Sequence, residues 1–152
     1  MPAVGILLPL TVSAYIVLSA VTGELLPPRR PRWLLEVGAD VLFVAAWYWL
    51  LLALLRRRQR YRQTASALFG LQTVLAAPII IADWLARRFA TEHAWQLPIS
   101  IVAIALAIWI LVASAHILRA ALERSLAWCL LLALAQMLIE ELVLMAIFGA
   151  GA

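Results

Sequence analysis

Five long apolar stretches constrain the fold of this chain more than any other feature of its sequence. They lie near residues 3–23, 34–55, 64–86, 97–118 and 125–148, and only short connectors separate them. About 20 mostly apolar residues in a helix are enough to cross the hydrocarbon core of a bilayer. A segment within lipid has to satisfy its own backbone polar groups, so we expect each stretch to be a helix. The sequence therefore predicts an all-α fold, a single-domain polytopic transmembrane bundle with five spans.

Composition supports a bilayer as the solvent of this chain. Its 152 residues are 66% hydrophobic, whereas a soluble domain is about half apolar. A chain of this length cannot hide so much apolar surface in one water-soluble core. The first stretch has no basic region before it, so we expect a retained span and not a signal peptide. The sequence predicts an integral membrane protein.

The third stretch is the least regular of the five, because it contains Gln72, Pro78 and Asp83. Proline removes a backbone hydrogen bond, so we expect a kink at Pro78. A re-entrant third segment would put both termini on the same side of the membrane. We favour five complete spans over that alternative.

The distribution of arginines predicts the orientation. All twelve basic residues are arginine, a compositional bias that suggests a bacterial genome. With five spans, the N-terminus shares one face with the loops at 56–62 and 119–124; that face carries seven arginines and the opposite face carries five. Positively charged loops stay in the cytoplasm. We therefore expect a bacterial inner-membrane protein with a cytoplasmic N-terminus and a periplasmic C-terminus.

The densest charge lies in the segment RRRQRYR, which contains Arg56, Arg57, Arg58, Arg60 and Arg62. Long arginine side chains at a span end can reach anionic lipid headgroups, and each contributes about 1 kcal/mol near the surface. We interpret the segment as a topology and anionic-lipid anchor. A protein-docking site or a specific lipid site is the alternative. Nucleic-acid binding is not expected, because the arginines lie at the ends of apolar runs.

A second group of polar residues lies within the spans: Asp40, Gln136, Glu140 and Glu141. Ionisable groups at membrane depth are costly and suggest a functional site. Gln136 and Glu140 are four residues apart and share a helical face, and Asp40 has a comparable depth in its own span. The two glutamates point about 100° apart, so we do not expect both to face one partner. The cluster either carries protons or a cation, or provides hydrogen bonds between helices.

Two shorter-range pairings are expected near the helix ends. Asp83 and Arg87 are four residues apart and can form an ion pair. His116, Arg119 and Glu123 follow one helical face at the end of the fourth span, where they predict a capped, salt-bridged terminus.

No catalytic motif is visible in the sequence. The serines, histidines and aspartates form no nucleophile motif, and there is no glycine-rich phosphate loop. Cys129 is the only cysteine, and with His93 it has no metal-ligand spacing. We therefore expect a protein that is not an enzyme and that binds neither a cofactor nor a metal.

Two stretches resemble a known family. RYRQTASALFGLQTVLAAPI and WILVASAHILRAALERSLAWCLLLAL are similar to the bacterial branch of the Yip family of five-span membrane proteins. The resemblance covers spans two to five, through an arginine-aromatic-x-Gln-Thr motif before span three and a HILRxAL stretch in span four. It implies five helices and a cytoplasmic N-terminus, and it implies no activity for any particular residue.

Two functions remain open from the sequence. The first is a non-enzymatic protein that acts by association, as a homo-oligomer or within a larger membrane complex. The second is a small transporter, or a subunit of one, that uses the acidic residues of the outer half. The position of Glu140 separates them: a lipid-facing position beside an apolar groove favours association, and a hydrated cavity shared with Asp40 favours transport.

Overall fold

The computed structural model describes residues 3–20 and 33–149, which are helical almost throughout. The five helices are α1 (Ala3–Ala20), α2 (Trp33–Leu54), α3 (Tyr61–Arg88), α4 (His93–Leu122) and α5 (Leu126–Phe148), and a 3₁₀ turn at Arg58–Arg60 leads into α3. The predicted all-α fold is confirmed. Four of the helices are long and apolar enough to cross a membrane, and α1 is a shorter apolar helix. This is the organisation of a multi-pass membrane protein.

The third span is one continuous helix. Pro78 lies inside α3, which runs without a break over 28 residues to Arg88. At 1.5 Å per residue, α3 is about 42 Å long, more than the hydrocarbon core requires. The described residues therefore contain no re-entrant break in this span. Arg29, Arg30 and Arg32, which contribute to the predicted arginine count of the opposite face, lie outside the described residues.

The fourth helix begins four residues before its predicted start at 97. The Gln96 side chain donates to the Ala90 carbonyl at 3.0 Å, and the rings of Phe89 and Trp95 stack with their centroids 5.2 Å apart. These contacts stabilise the first turns of α4, which begin at His93. The polar composition of these residues predicts a connector instead.

The loops at 55–60 and 123–125 lie at the same end of the bundle, which we call the arginine end. The buried core lies next to it, in the adjoining halves of α2, α3, α4 and α5. Among the described residues, twelve form this core: Val44, Tyr48, Leu52, Ala65, Leu68, Phe69, Ala115, Leu118, Ala121, Leu122, Cys129 and Ala133. Four of them are alanines, which allow helices to approach closely. The arginine end is therefore the tightly packed end.

The helices do not pack equally along their lengths. α3 packs against α1 and α4, α5 packs against α4 and α2, and α2 also contacts α1 and α3. The first 18 residues of α4, 93–110, which we call the first part of the helix, are exposed on nearly all sides, with only Ile99, Leu106 and Ile110 partly covered. The contact between α2 and α5 positions the polar cluster described next.

Candidate functional site

Two carboxyl groups meet inside the bundle, where α2 packs against α5. Asp40 on α2 is 9% exposed, and Glu140 on α5 is partly buried. Their carboxyl groups lie within hydrogen-bonding reach of each other. Glu140 therefore faces the protein interior and not the lipid.

Tyrosine and glutamine side chains on three helices hold this carboxyl pair. The Tyr15 hydroxyl of α1 donates to Asp40 Oδ2 at 2.5 Å. The Tyr48 hydroxyl of α2 donates to Gln136 Oε1 at 2.9 Å, and Gln136 Nε2 donates to Glu140 Oε2. Two hydrogen-bonded runs, Tyr48–Gln136–Glu140 and Tyr15–Asp40, thus meet at the carboxyl pair, and together we call them the hydrogen-bonded chain. The three donors, Tyr15, Tyr48 and Gln136, are all uncharged side chains.

A small cavity lies beside Glu140. Its volume is about 100 Å³, and its polar wall is formed by Tyr48, Gln72, Ser114, Gln136 and Glu140. The Gln72 Oε1 atom is buried and has no hydrogen-bond partner among the described residues. A water molecule occupies about 30 Å³ in the liquid, and buried waters satisfy such polar atoms. The cavity has room for about three waters in contact with Glu140, whereas Asp40 does not line it.

The structure brings together three of the four predicted cluster residues. Asp40, Gln136 and Glu140 form the chain, whereas Glu141 is exposed on the other side of α5. Sequence reasoning missed Tyr15, Tyr48, Gln72 and Ser114 as members. One signal could have revealed Tyr48, because it lies eight residues after Asp40, and positions four and eight apart share a helical face.

The predicted anchor at residues 56–62 is partly used inside the protein. Arg57 Nη2 lies 2.8 Å from Glu123 Oε2, and Arg60 Nη2 lies 2.5 Å from Glu123 Oε1. Arg60 Nη1 also donates to the carbonyls of Ala120 and Ala121, at 3.0 and 3.2 Å. These carbonyls belong to the last turn of α4, where no intrahelical donor remains. We call this contact between the two loops the arginine clamp; it joins α3 to the end of α4.

Glu123 takes a different partner from the one expected. It adopts a left-handed conformation with φ 55°, which turns it away from the helical face of Arg119 and His116. The hydrogen bond from Arg60, followed by the positive charges of Arg57 and Arg60, lowers the pKa of Glu123 below its ordinary 4.5. The end of α4 is capped and salt-bridged as predicted, but from the neighbouring loop.

The other anchor arginines have separate positions. The Arg58 guanidinium lies over the Trp49 ring, 5.4 Å from its centroid, and Arg56 and Arg62 are exposed. At the opposite end of α3, Arg87 Nη2 lies 2.8 Å from Asp83 Oδ2, so the predicted ion pair is present.

The described residues contain no group of three or more histidine, cysteine, aspartate and glutamate side chains that could hold a metal ion. Comparisons with known protein families, curated proteins and solved structures found no match to this chain. The resemblance to the Yip family therefore stays a prediction.

Proposed function

We propose that this chain is a small proton transporter of the bacterial inner membrane, in which Asp40 and Glu140 take up and release the proton. The observation that carries the proposal is the meeting of these two carboxyls in the bundle interior. Of the two functions that the sequence leaves open, this geometry favours transport, because Glu140 faces Asp40 and a polar cavity.

The carboxyl pair has the chemistry of a proton site. Two carboxylates within hydrogen-bonding reach repel each other strongly away from bulk water, and a proton bound by the pair relieves that repulsion. Tyr15 donates to one carboxyl and Gln136 donates to the other. Both donors can stabilise a carboxylate oxygen, but neither carries a positive charge that would neutralise it. The net charge of the site therefore becomes more negative by one when a proton leaves.

The cavity provides a place for that proton to go. It touches Glu140 and Gln136 and has room for about three waters. Release transfers the proton from a carboxyl oxygen to a cavity water, leaving a carboxylate and a hydronium ion. Uptake is the reverse reaction, in which a carboxylate accepts the proton of a hydronium ion. Gln72, whose buried Oε1 has no partner in the described part of the chain, lines the same cavity and can accept a hydrogen bond from such a water.

The site lies away from the arginine end, which we assign to the cytoplasm by the positive-inside rule. Glu140 is 14 residues after the start of α5 at Leu126. At 1.5 Å per residue Glu140 lies about 21 Å from the arginine end, which in the proposed orientation corresponds to the outer half of the membrane. The proposed orientation has a cytoplasmic N-terminus and a periplasmic C-terminus.

Proton flux in liposomes tests the proposal. The wild type and three variants, Glu140→Gln, Asp40→Asn and Glu141→Gln, are reconstituted with a pH-sensitive dye inside and a potassium gradient with valinomycin as the driving force. We expect flux in the wild type and in Glu141→Gln, the matched control on the exposed side of α5. We expect flux to be lost in Glu140→Gln and Asp40→Asn. Flux that persists in a folded Glu140→Gln protein, or that is absent from the wild type, contradicts the proposal.

Self-association is a second candidate function, favoured by the exposed first part of α4, residues 93–110. Ala103 and Ala107 lie on this part, are both exposed, and have the four-residue spacing of close helix contacts. Native mass spectrometry in detergent measures the oligomeric state. If α4 mediates a dimer, Ala103→Ile with Ala107→Ile should shift it toward the monomer, and Ala105→Ile, on the other side of the helix, should not. A wild-type protein that is monomeric in both mild detergent and nanodiscs rejects this candidate.

A further inference from the structure

We propose that an apolar groove at the arginine end binds one acyl chain of an anionic phospholipid, with the lipid phosphate on Arg124. The groove has a volume of about 360 Å³ and lies between the end of α2 and the start of α5. Leu132, the groove residue nearest to Glu140 along α5, is eight positions or about 12 Å away, and the inference is independent of the proposed proton transport.

The wall of the groove suits a hydrocarbon chain. It is formed by leucines of α2, α4 and α5, with Trp128 beside them. Leu54 and Trp128 remain 74% and 62% exposed, so no other part of the described chain covers them. Tryptophan at the end of a span is typical of the membrane interface. The groove is thus apolar and open at the depth where acyl chains begin.

The charge at the mouth of the groove suits a lipid phosphate. Arg124 lines the groove, is exposed, and forms no ion pair with a described residue. The neighbouring acid, Glu123, is already engaged by Arg57 and Arg60. The clamp therefore leaves Arg124 as a cation without a counter-ion among the described residues, next to an apolar groove. A guanidinium group binds phosphate oxygens with two parallel hydrogen bonds.

This placement revises the predicted role of the 56–62 segment. Two of its arginines hold the clamp, and Arg58 lies over Trp49. The arginine that lines the groove is Arg124, which belongs to the other loop. From the sequence, that loop was used only in counting arginines to predict the membrane orientation. An anionic phospholipid matches both features of the site, because it brings a phosphate and a hydrocarbon chain at the correct depth. A peptide partner would have to carry both features at the membrane surface.

Quenching of Trp128 by brominated lipid tests the proposal. The full chain is reconstituted in phosphatidylcholine vesicles containing either phosphatidylglycerol or further phosphatidylcholine with brominated acyl chains. The difference between the wild type and Trp128→Phe isolates the Trp128 signal from the other tryptophans. We expect brominated phosphatidylglycerol to quench Trp128 more strongly than brominated phosphatidylcholine at equal mole fraction.

Two arginine variants then locate the phosphate. Arg124→Gln should reduce the relative binding constant for phosphatidylglycerol about fivefold, the change that corresponds to one interfacial arginine. Arg62→Gln removes an exposed arginine at the same end that does not line the groove, so it should leave the preference nearly unchanged. Equal quenching by the two lipids in the wild type overturns the proposal. So does an equal loss in both variants, because that result indicates general surface potential instead of a site.

Discussion

Removal of one hydroxyl, in Tyr48→Phe, tests the hydrogen-bonded chain at its most buried point. Tyr48 is 2% exposed and Gln136 is 6% exposed, and the hydroxyl donates to the Gln136 Oε1 atom at 2.9 Å. Phenylalanine keeps the ring and its packing, so the substitution creates almost no cavity. It leaves the Gln136 carbonyl oxygen buried without its donor.

The expected loss follows from that unsatisfied acceptor. An orphaned buried polar group costs about 1–3 kcal/mol, whereas hydrogen bonds between membrane helices average about 0.6 kcal/mol and reach about 1.7. The neighbouring cavity allows a water to replace the hydroxyl in part, which favours the lower values. We therefore expect Tyr48→Phe to lower the free energy of unfolding by about 1–1.5 kcal/mol.

Unfolding by sodium dodecyl sulfate in mixed micelles, followed by circular dichroism, measures this difference. Tyr61→Phe is the matched control, because the Tyr61 hydroxyl makes no hydrogen bond with a described residue. A double-mutant cycle of Tyr48→Phe with Gln136→Leu should give a coupling energy of the same size. A loss no larger than that of Tyr61→Phe, or a coupling energy near zero, refutes the assignment of this bond.

Four further predictions concern the clamp, the core and the topology. The pKa of Glu123 is lowered in the folded protein, so its contribution to stability is complete above about pH 4.5 and is lost as the pH falls through the lower folded-state pKa. The unfolding free energies of the wild type and Glu123→Gln should therefore converge toward low pH. A difference between them that stays constant with pH contradicts the clamp. Arg60→Gln should destabilise more than Arg57→Gln, by about 1–3 kcal/mol for its two additional hydrogen bonds to carbonyls, and equal losses in the same unfolding assay contradict this. Cys129 is 0% exposed and is the only cysteine, so a maleimide should label it only after unfolding; rapid labelling of the folded protein contradicts the packing at the arginine end. A C-terminal alkaline phosphatase fusion should be active and a green fluorescent protein fusion dark, whereas the reverse result places the C-terminus in the cytoplasm.

The depth of the polar residues could be predicted from the sequence, but their neighbours could not. A helix rises 1.5 Å per residue, so the shared depth of Asp40 and Glu140 follows from their distance to the span ends. The contact between α2 and α5 has no such signal. In lipid both the buried and the exposed faces of a helix are apolar, so no stripe marks the face that packs. Tyr15 was missed for this reason.

The arginine clamp lies beyond local sequence reasoning for another reason. Arg60 and Glu123 are separated by 63 positions, and they meet because the α2–α3 and α4–α5 loops lie at one end of the bundle. Charges between two spans are ordinarily explained by membrane orientation, so nothing in RRRQRYR distinguishes Arg60 from Arg62. The ion pair of Asp83 and Arg87 could be predicted, since both residues lie on one helix, four positions apart.

Infrared spectroscopy of the purified protein in nanodiscs tests the central claim most directly, because a protonated carboxyl has a C=O stretching band that a carboxylate lacks. If the Asp40–Glu140 pair holds a proton in the bundle interior, the wild type shows such a band at neutral pH, and the band disappears as the pH is raised. The account predicts that Glu140→Gln alters or abolishes the band and that Glu141→Gln leaves it unchanged. A wild-type spectrum with no protonated carboxyl at neutral pH, or a band that responds to Glu141→Gln and not to Glu140→Gln, would contradict it.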